Sequence, residues 1–203
     1  MLGCTWQRTC IINFTICILI MKTALLLIDI QNDYFENGLM QLSGSEKASV
    51  NARKILKLFR TKNLPIVHIQ HLSTRPGSAF FLPNTIGAAI HENVMPQGME
   101  EVIVKHFPNS FRETVLLDKL KELEVNELVI CGMMTHMCID ATTRAAKDFG
   151  FNCTLIGDAC ASKDMEIHGH DIKAQDVHDS FLAALNYFYA KVIDTNIYLV
   201  ENP

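Results

Sequence analysis

The chain has 203 residues, 49% of them hydrophobic and 20% charged, so it can bury one substantial core and does not have the composition of a disordered segment. A net charge of −4 and the absence of a long Lys or Arg run exclude the electrostatic footprint of a nucleic-acid binder and leave a small molecule as the expected partner. Seven cysteines, an odd number with no C-x-x-C pair, argue against a secreted disulfide scaffold and for a reducing, cytoplasmic setting.

The first twenty residues, MLGCTWQRTCIINFTICILI, pair Arg8 with a short apolar stretch from Cys10 to Ile20, as a weak signal peptide would, but the cleavage signal is missing. The strand-like TALLLIDI follows Met21-Lys22 at once. Residues 1–20 are therefore read as an extension upstream of a native start at Met21, and residues 21–203 as one domain. A membrane anchor is the competing reading, for which the apolar stretch is too short.

From Thr23 onward, short apolar runs bounded by turn residues alternate with segments of helical period, which predicts an α/β fold with a parallel sheet and helices on both faces. The strands are expected at Ala24–Ile30, Pro65–Gln70, Glu101–Lys105, Leu128–Gly132 and Asn152–Gly157, with a short one near Val192. Between them Ser45 is expected to cap a helix whose stripe is Ala48, Ala52, Ile55, Leu56 and Phe59. Leu116, Leu117, Leu120 and Leu123 mark a second helix. A third starts near Cys138 and stops at Gly150, and a fourth runs from Ile172 to Tyr189 with Val177, Phe181, Leu185 and Phe188 on one face. The Pro- and Gly-rich stretch from His71 to Gly98 lacks a clear period, and loops of that length are usually functional or disordered. Part of a lid, or a surface excursion with one short helix, are equal readings of it.

Ligands of parallel α/β sheets bind beyond the carboxyl ends of the strands, and three polar residues stand at such ends. Asp29 interrupts LLLIDI, Lys105 terminates VIVK, and Cys138 follows GMMTHM at the start of a helix. Taken singly, each has an ordinary explanation: a turn residue, a solvated strand end, a small buried hydrophobe. Taken together they supply a base, a cation and a nucleophile. A helix N-terminus and a neighbouring lysine are expected to lower the Cys138 thiol pKa, and an aspartate within reach to take its proton.

LLLIDIQNDYF, VIVKHFPNSF and LVICGMMTHMCIDATTRAAKDFGFNCTLIGDACAS closely resemble the three motif regions of the isochorismatase-like cysteine hydrolases, in order and in spacing, over about Lys22 to Val200. The resemblance implies a three-layer Rossmann-like fold with about six strands in a mainly parallel sheet, and a triad of Asp29, Lys105 and Cys138. It implies amide cleavage through a thioester, a cis peptide at Met133-Met134, and an oxyanion site formed by the backbone N–H groups of Met134 and Cys138, with Gly132 permitting the close approach. Gln31, Phe35, Phe111, Thr135 and His136 fall where the substrate pocket is expected. It also implies a homo-oligomer, for which Ile197–Val200 and Tyr187, Phe188 and Tyr189 are candidate contacts, although either group can equally be core.

Nicotinamidases of this superfamily carry an Asp-x-His metal pattern after the second strand, where this chain reads HIQHLSTRPGSAF. The aspartate is absent, and His68 and His71 fall on opposite faces of a strand, so neither a metal nor a cofactor is expected. His168-Gly169-His170 reads as a solvated loop. Asp148-Phe149-Gly150 spells a kinase motif without its companions, and no G-x-G-x-x-G follows the first strand. The leading function is hydrolysis of a small carboxamide. Vinyl ether cleavage of the isochorismatase type, or a redox-sensing scaffold, are the alternatives.

Overall fold

The structure, a computed structural model, describes residues 22–203; the upstream extension lies outside the described residues. In chain order the strands are β1 (Thr23–Ile28), β2 (Ile66–His71), β3 (Glu101–Lys105), β4 (Glu127–Met133), β5 (Asn152–Ala161), β6 (Met165–Ile167), β7 (His170–Ile172) and β8 (Lys191–Ile193). The helices are α1 (Ser45–Thr61), α2 (Leu116–Glu122), α3 (Asp140–Asp148), α4 (Ala174–Phe188) and α5 (Thr195–Glu201). Six strands form one parallel sheet in the order β3-β2-β1-β4-β5-β8, while β6 and β7 make a separate antiparallel hairpin.

The central strand β1 is buried on both faces, which is why LLLI is a continuous apolar run rather than an alternating one. Its side chains still divide by parity. Ala24, Leu26 and Ile28 join Leu116, Leu120, Ala146 and Leu185 of α2, α3 and α4, whereas Leu25 and Leu27 pack with Ala48, Ala52, Ile55, Leu56 and Phe59 of α1. Tyr198 of α5 stacks on Phe59 on that second face. The result is three layers. Among the described residues no helix is long and apolar enough to cross a membrane.

Several expected boundaries shift. Ser45 does not cap α1: Gly44 precedes it with φ +75°, a left-handed turn free of steric cost for glycine, and Ser45 is the first helical residue, its Oγ donating to the Leu42 carbonyl at 3.4 Å. Strand β5 continues past Gly157 to Ala161, after an irregularity in its pairing with β4 between Ile130 and Gly132. The fourth helix begins at Ala174 because Ile172 is taken up in the hairpin, paired with Met165. His168 and Gly169, read as a loop, are the positive-φ turn of that hairpin. Phe188, expected on a core face, is 64% exposed, whereas Val177 and Leu185 are buried.

The Pro- and Gly-rich stretch holds one short 3-10 turn, Glu92–Val94, and is tied to the outlet of β1. Asn32 N–H donates to Ala89 O, Asp33 N–H to Gly87 O, and His91 N–H to Ile30 O. Phe81, at its centre, is fully buried, with its N–H donating to the Asp33 carboxylate at 2.7 Å.

Candidate active site

Asp29 follows β1 directly, and its positive φ of +52° turns the chain sharply while its N–H donates to Ile69 O at 3.0 Å. Gly132 lies in register with Ile28 on β4 and has φ +139°; a Cβ there would run into the Ile28 carbonyl oxygen. Only glycine lets the two strands close at the point where Asp29 leaves them. Lys105 is the last residue of β3 and lies in register with His71, the last residue of β2. Beyond β4 the Met133-Met134 peptide bond is cis, and a single π-turn, Thr135–Ile139, carries Cys138 into α3. π-Turns of this kind occur frequently at functional sites.

Thus three strand ends converge. Lys105 Nζ has four acceptors around its three N–H groups: Asp29 Oδ2 at 2.6 Å, His71 Nδ1 at 3.0 Å, Phe107 O at 3.1 Å and Cys138 Sγ at 3.2 Å. Asp29 and Lys105 have no exposed surface and Cys138 is 4% exposed. A buried ammonium saturated in this way holds the carboxylate and the thiol on either side of it.

Burial works against the Lys105 charge, but the Asp29 carboxylate and then Cys138 outweigh it, and the ammonium pKa is raised. The Cys138 thiol is pushed well above its ordinary range, first by burial and next by Asp29, with Lys105 opposing but not reversing the shift. This corrects the expectation of a lowered thiol pKa: enclosure outweighs the neighbouring cation. The cluster therefore rests as an ammonium beside a protonated thiol.

His71 is a site residue that sequence reasoning missed, having weighed it only as a metal ligand. Burial and then Lys105 lower its pKa to about 4, so the ring is neutral at pH 7 and accepts from Lys105 at Nδ1. The available signal was the one that selected Lys105, a polar residue ending a strand. His68 does lie on the other face: its Nε2 meets Glu100 at 2.9 Å, in a cluster with Arg60.

The five expected pocket residues are placed unequally. The side chain of Gln31 is fully engaged, Nε2 donating to His71 O and Ala88 O and Oε1 accepting from His71 N–H, so it clamps the end of β2 to the long loop. Thr135 Oγ1 donates to Ala161 O at 3.0 Å and pairs with His178 Nδ1 at 2.8 Å. His136 Nδ1 pairs with Ser162 Oγ at 2.7 Å. Phe35 stacks on His91 at 3.6 Å between ring centres, and Phe111 joins the same apolar cluster as Cys138. A cavity of about 530 Å³ opens elsewhere, lined by Pro65, Ile66 and Glu101 at the amino ends of β2 and β3, on the opposite edge of the sheet from these groups.

Residues 23–196 match the model of the isochorismatase domain. An uncharacterised isochorismatase family protein of Bacillus subtilis is 52% identical over 179 residues, covering 88% of this chain and 99% of the relative. A crystal structure from Oleispira antarctica, assigned to the isochorismatase hydrolases, superimposes with a TM-score of 0.85 at 45% identity, covering 88% of this chain and 96% of that one. An isochorismatase from Pseudomonas putida KT2440 superimposes at 0.80 with 34% identity, covering 86% and 88%. A parallel sheet that gathers a thiol, an ammonium and a carboxylate beyond its carboxyl edge is the framework of a cysteine hydrolase, and the chain belongs to the isochorismatase family of such enzymes.

Proposed function

We propose that the protein cleaves the C–N bond of a small carboxamide, with Cys138 as nucleophile, Asp29 as general base and Lys105 as electrostatic support. The observation that carries this reading is the buried Lys105 ammonium, bonded at once to Asp29 Oδ2 at 2.6 Å and to Cys138 Sγ at 3.2 Å. Because the thiol rests protonated, its proton leaves as the sulfur attacks: Asp29 receives it, and Lys105 holds both partners and offsets the negative charge that moves between them. The backbone N–H groups of Met134 and Cys138 receive the developing oxyanion. Asp29 then returns the proton to the departing amine, and in the second half-reaction it draws a proton from the water that opens the thioester. Phe35, Phe111 and His136 form the substrate pocket, with Gln31 and Thr135 holding its walls from behind.

The free state of Cys131, Cys138, Cys153 and Cys160 supports a cytoplasmic location. Tyr187, Phe188 and Val200, 91%, 64% and 80% exposed, support a homo-oligomer that covers them. A screen of small carboxamides read by ammonia release tests the reaction. Cys138→Ala is expected to abolish turnover with an unchanged circular dichroism spectrum, and an active Ala variant overturns the covalent mechanism. Pyruvate release from isochorismate, without ammonia release from any amide, replaces amide cleavage with vinyl ether cleavage.

A further inference from the structure

We infer that Asp29, His71 and Cys138 form a binding site for a thiophilic divalent cation such as Zn²⁺, which competes with the Lys105 ammonium and silences the nucleophile. The three side chains offer one carboxylate oxygen, one imidazole nitrogen and one sulfur, all within 4.8 Å of one another, and they are the one such group among the described residues. This mixed O, N and S donor set matches zinc far better than it matches magnesium or calcium, which take oxygen alone.

A second observation points the same way. Asp29 Oδ1 is buried and has no hydrogen-bond partner, in a residue with no exposed surface, so the carboxylate keeps unused capacity for a cation. The Lys105 ammonium already occupies the middle of the donor set, at 2.6 Å from Asp29, 3.0 Å from His71 Nδ1 and 3.2 Å from Cys138 Sγ. Zinc bonds run to about 2.0–2.3 Å, so each donor must draw in by roughly 0.5 to 1 Å, within the reach of side-chain adjustment. His71 is ready to ligate, because its Nδ1 is an acceptor in the resting state.

Binding proceeds with a balanced exchange. The Cys138 S–H bond breaks and a Zn–S bond forms, the thiol proton passes to solvent, and the Lys105 ammonium withdraws or loses its own proton; water completes the tetrahedron. The sulfur lone pair is then committed to the metal and cannot attack a carbonyl. Lys105 thus has a guarding role in addition to its catalytic one: its positive charge keeps the donors apart from free metal.

This inference uses the site proposed above but not its amide chemistry, and its test needs no substrate. Metal-free protein is titrated with zinc chloride against a chromogenic chelator, and iodoacetamide labelling of each cysteine is followed in parallel by mass spectrometry. Zinc is expected to bind the wild type at one site and to slow labelling of Cys138 while leaving Cys131, Cys153 and Cys160 unchanged. His71→Ala is expected to weaken binding at least tenfold, and Lys105→Met to strengthen it at least tenfold. The chelator titration reads binding even where labelling is slow, and the wild type and His71→Ala suffice if Lys105→Met does not fold. No zinc binding by the wild type, or equal binding by His71→Ala, overturns the inference. Zinc binding by a protein that cleaves no amide removes the proposed reaction and leaves the metal site standing.

Discussion

Replacing Lys105 by Met keeps most of the stem volume but strips the ammonium from a carboxylate that has no exposed surface. Asp29 Oδ2 loses its 2.6 Å partner while Oδ1 has no hydrogen-bond partner to begin with, so the carboxylate is left in the interior without its cation. Breaking a buried pair from one side costs about 3–5 kcal/mol, a large fraction of a total stability of about 5–15 kcal/mol. With a urea slope of about 2 kcal/mol/M, the unfolding midpoint is expected to fall by roughly 1.5–2.5 M. A second substitution separates this cause from lost packing: the double variant Asp29→Leu, Lys105→Met removes both charges, and apolar replacement of a buried pair is often neutral. Equilibrium urea unfolding, followed by fluorescence and circular dichroism together, is the assay. A loss below about 1 kcal/mol in the single variant, or a double variant less stable than the single, would refute the view that a desolvated ion pair holds this site.

Three further outcomes follow from the geometry. Because burial and Asp29 push the Cys138 thiol up, its labelling by iodoacetamide in metal-free protein is expected to be slow at pH 7 and still rising beyond pH 9; a plateau near neutrality would show a thiolate at rest. His71 titrates near its ordinary 6.5 when unfolded and at about 4 in the native protein, so between those values the unfolded chain takes up a proton that the native one refuses. Stability should therefore fall as pH drops from about 6.5 toward 4, and urea midpoints across that window should show a shallower fall in His71→Gln; an unchanged slope removes His71 as the cause. Gly132→Ala sets a Cβ against the Ile28 carbonyl at φ +139° and is expected to cost about 3 kcal/mol or more by urea unfolding; a neutral Ala variant would mean that the β1–β4 contact yields.

Much of the layout was legible because burial leaves a direct mark on composition. Strand β3 was read residue for residue as Glu101–Lys105, and the α1 stripe at Ala48, Ala52, Ile55, Leu56 and Phe59 is wholly buried. What escaped lacks that mark. All six residues of β6 and β7 are exposed, so no apolar pattern announces the hairpin, and α5 is a single short helix in which Thr195 and Tyr198 alone are buried. The far half of β5, Asp158–Ala161, is built from small residues whose pairing follows an irregularity in β4. At the site, residue types and strand ends pointed to Asp29, Lys105 and Cys138, but the direction of the Cys138 shift depends on how completely the chain encloses the sulfur. That is a property of tertiary closure, which no local motif carries.

The pairing of His71 with Lys105 across β2 and β3 has one more consequence. Side chains alternate faces along a strand, so a slip of one residue in this edge pairing would turn Lys105 to the other side of the sheet and remove the ammonium from both Asp29 and Cys138. The slipped chain would still have a hydrophobic sheet and most of its helices, yet the Cys138 sulfur would have no lysine beside it. Asp29 and Lys105 are 76 positions apart and come together only through β2. The chemistry of the thiol is in effect a checksum on the zipping of three strands, readable one molecule at a time by any reagent that distinguishes a lysine-bound sulfur from a solitary one.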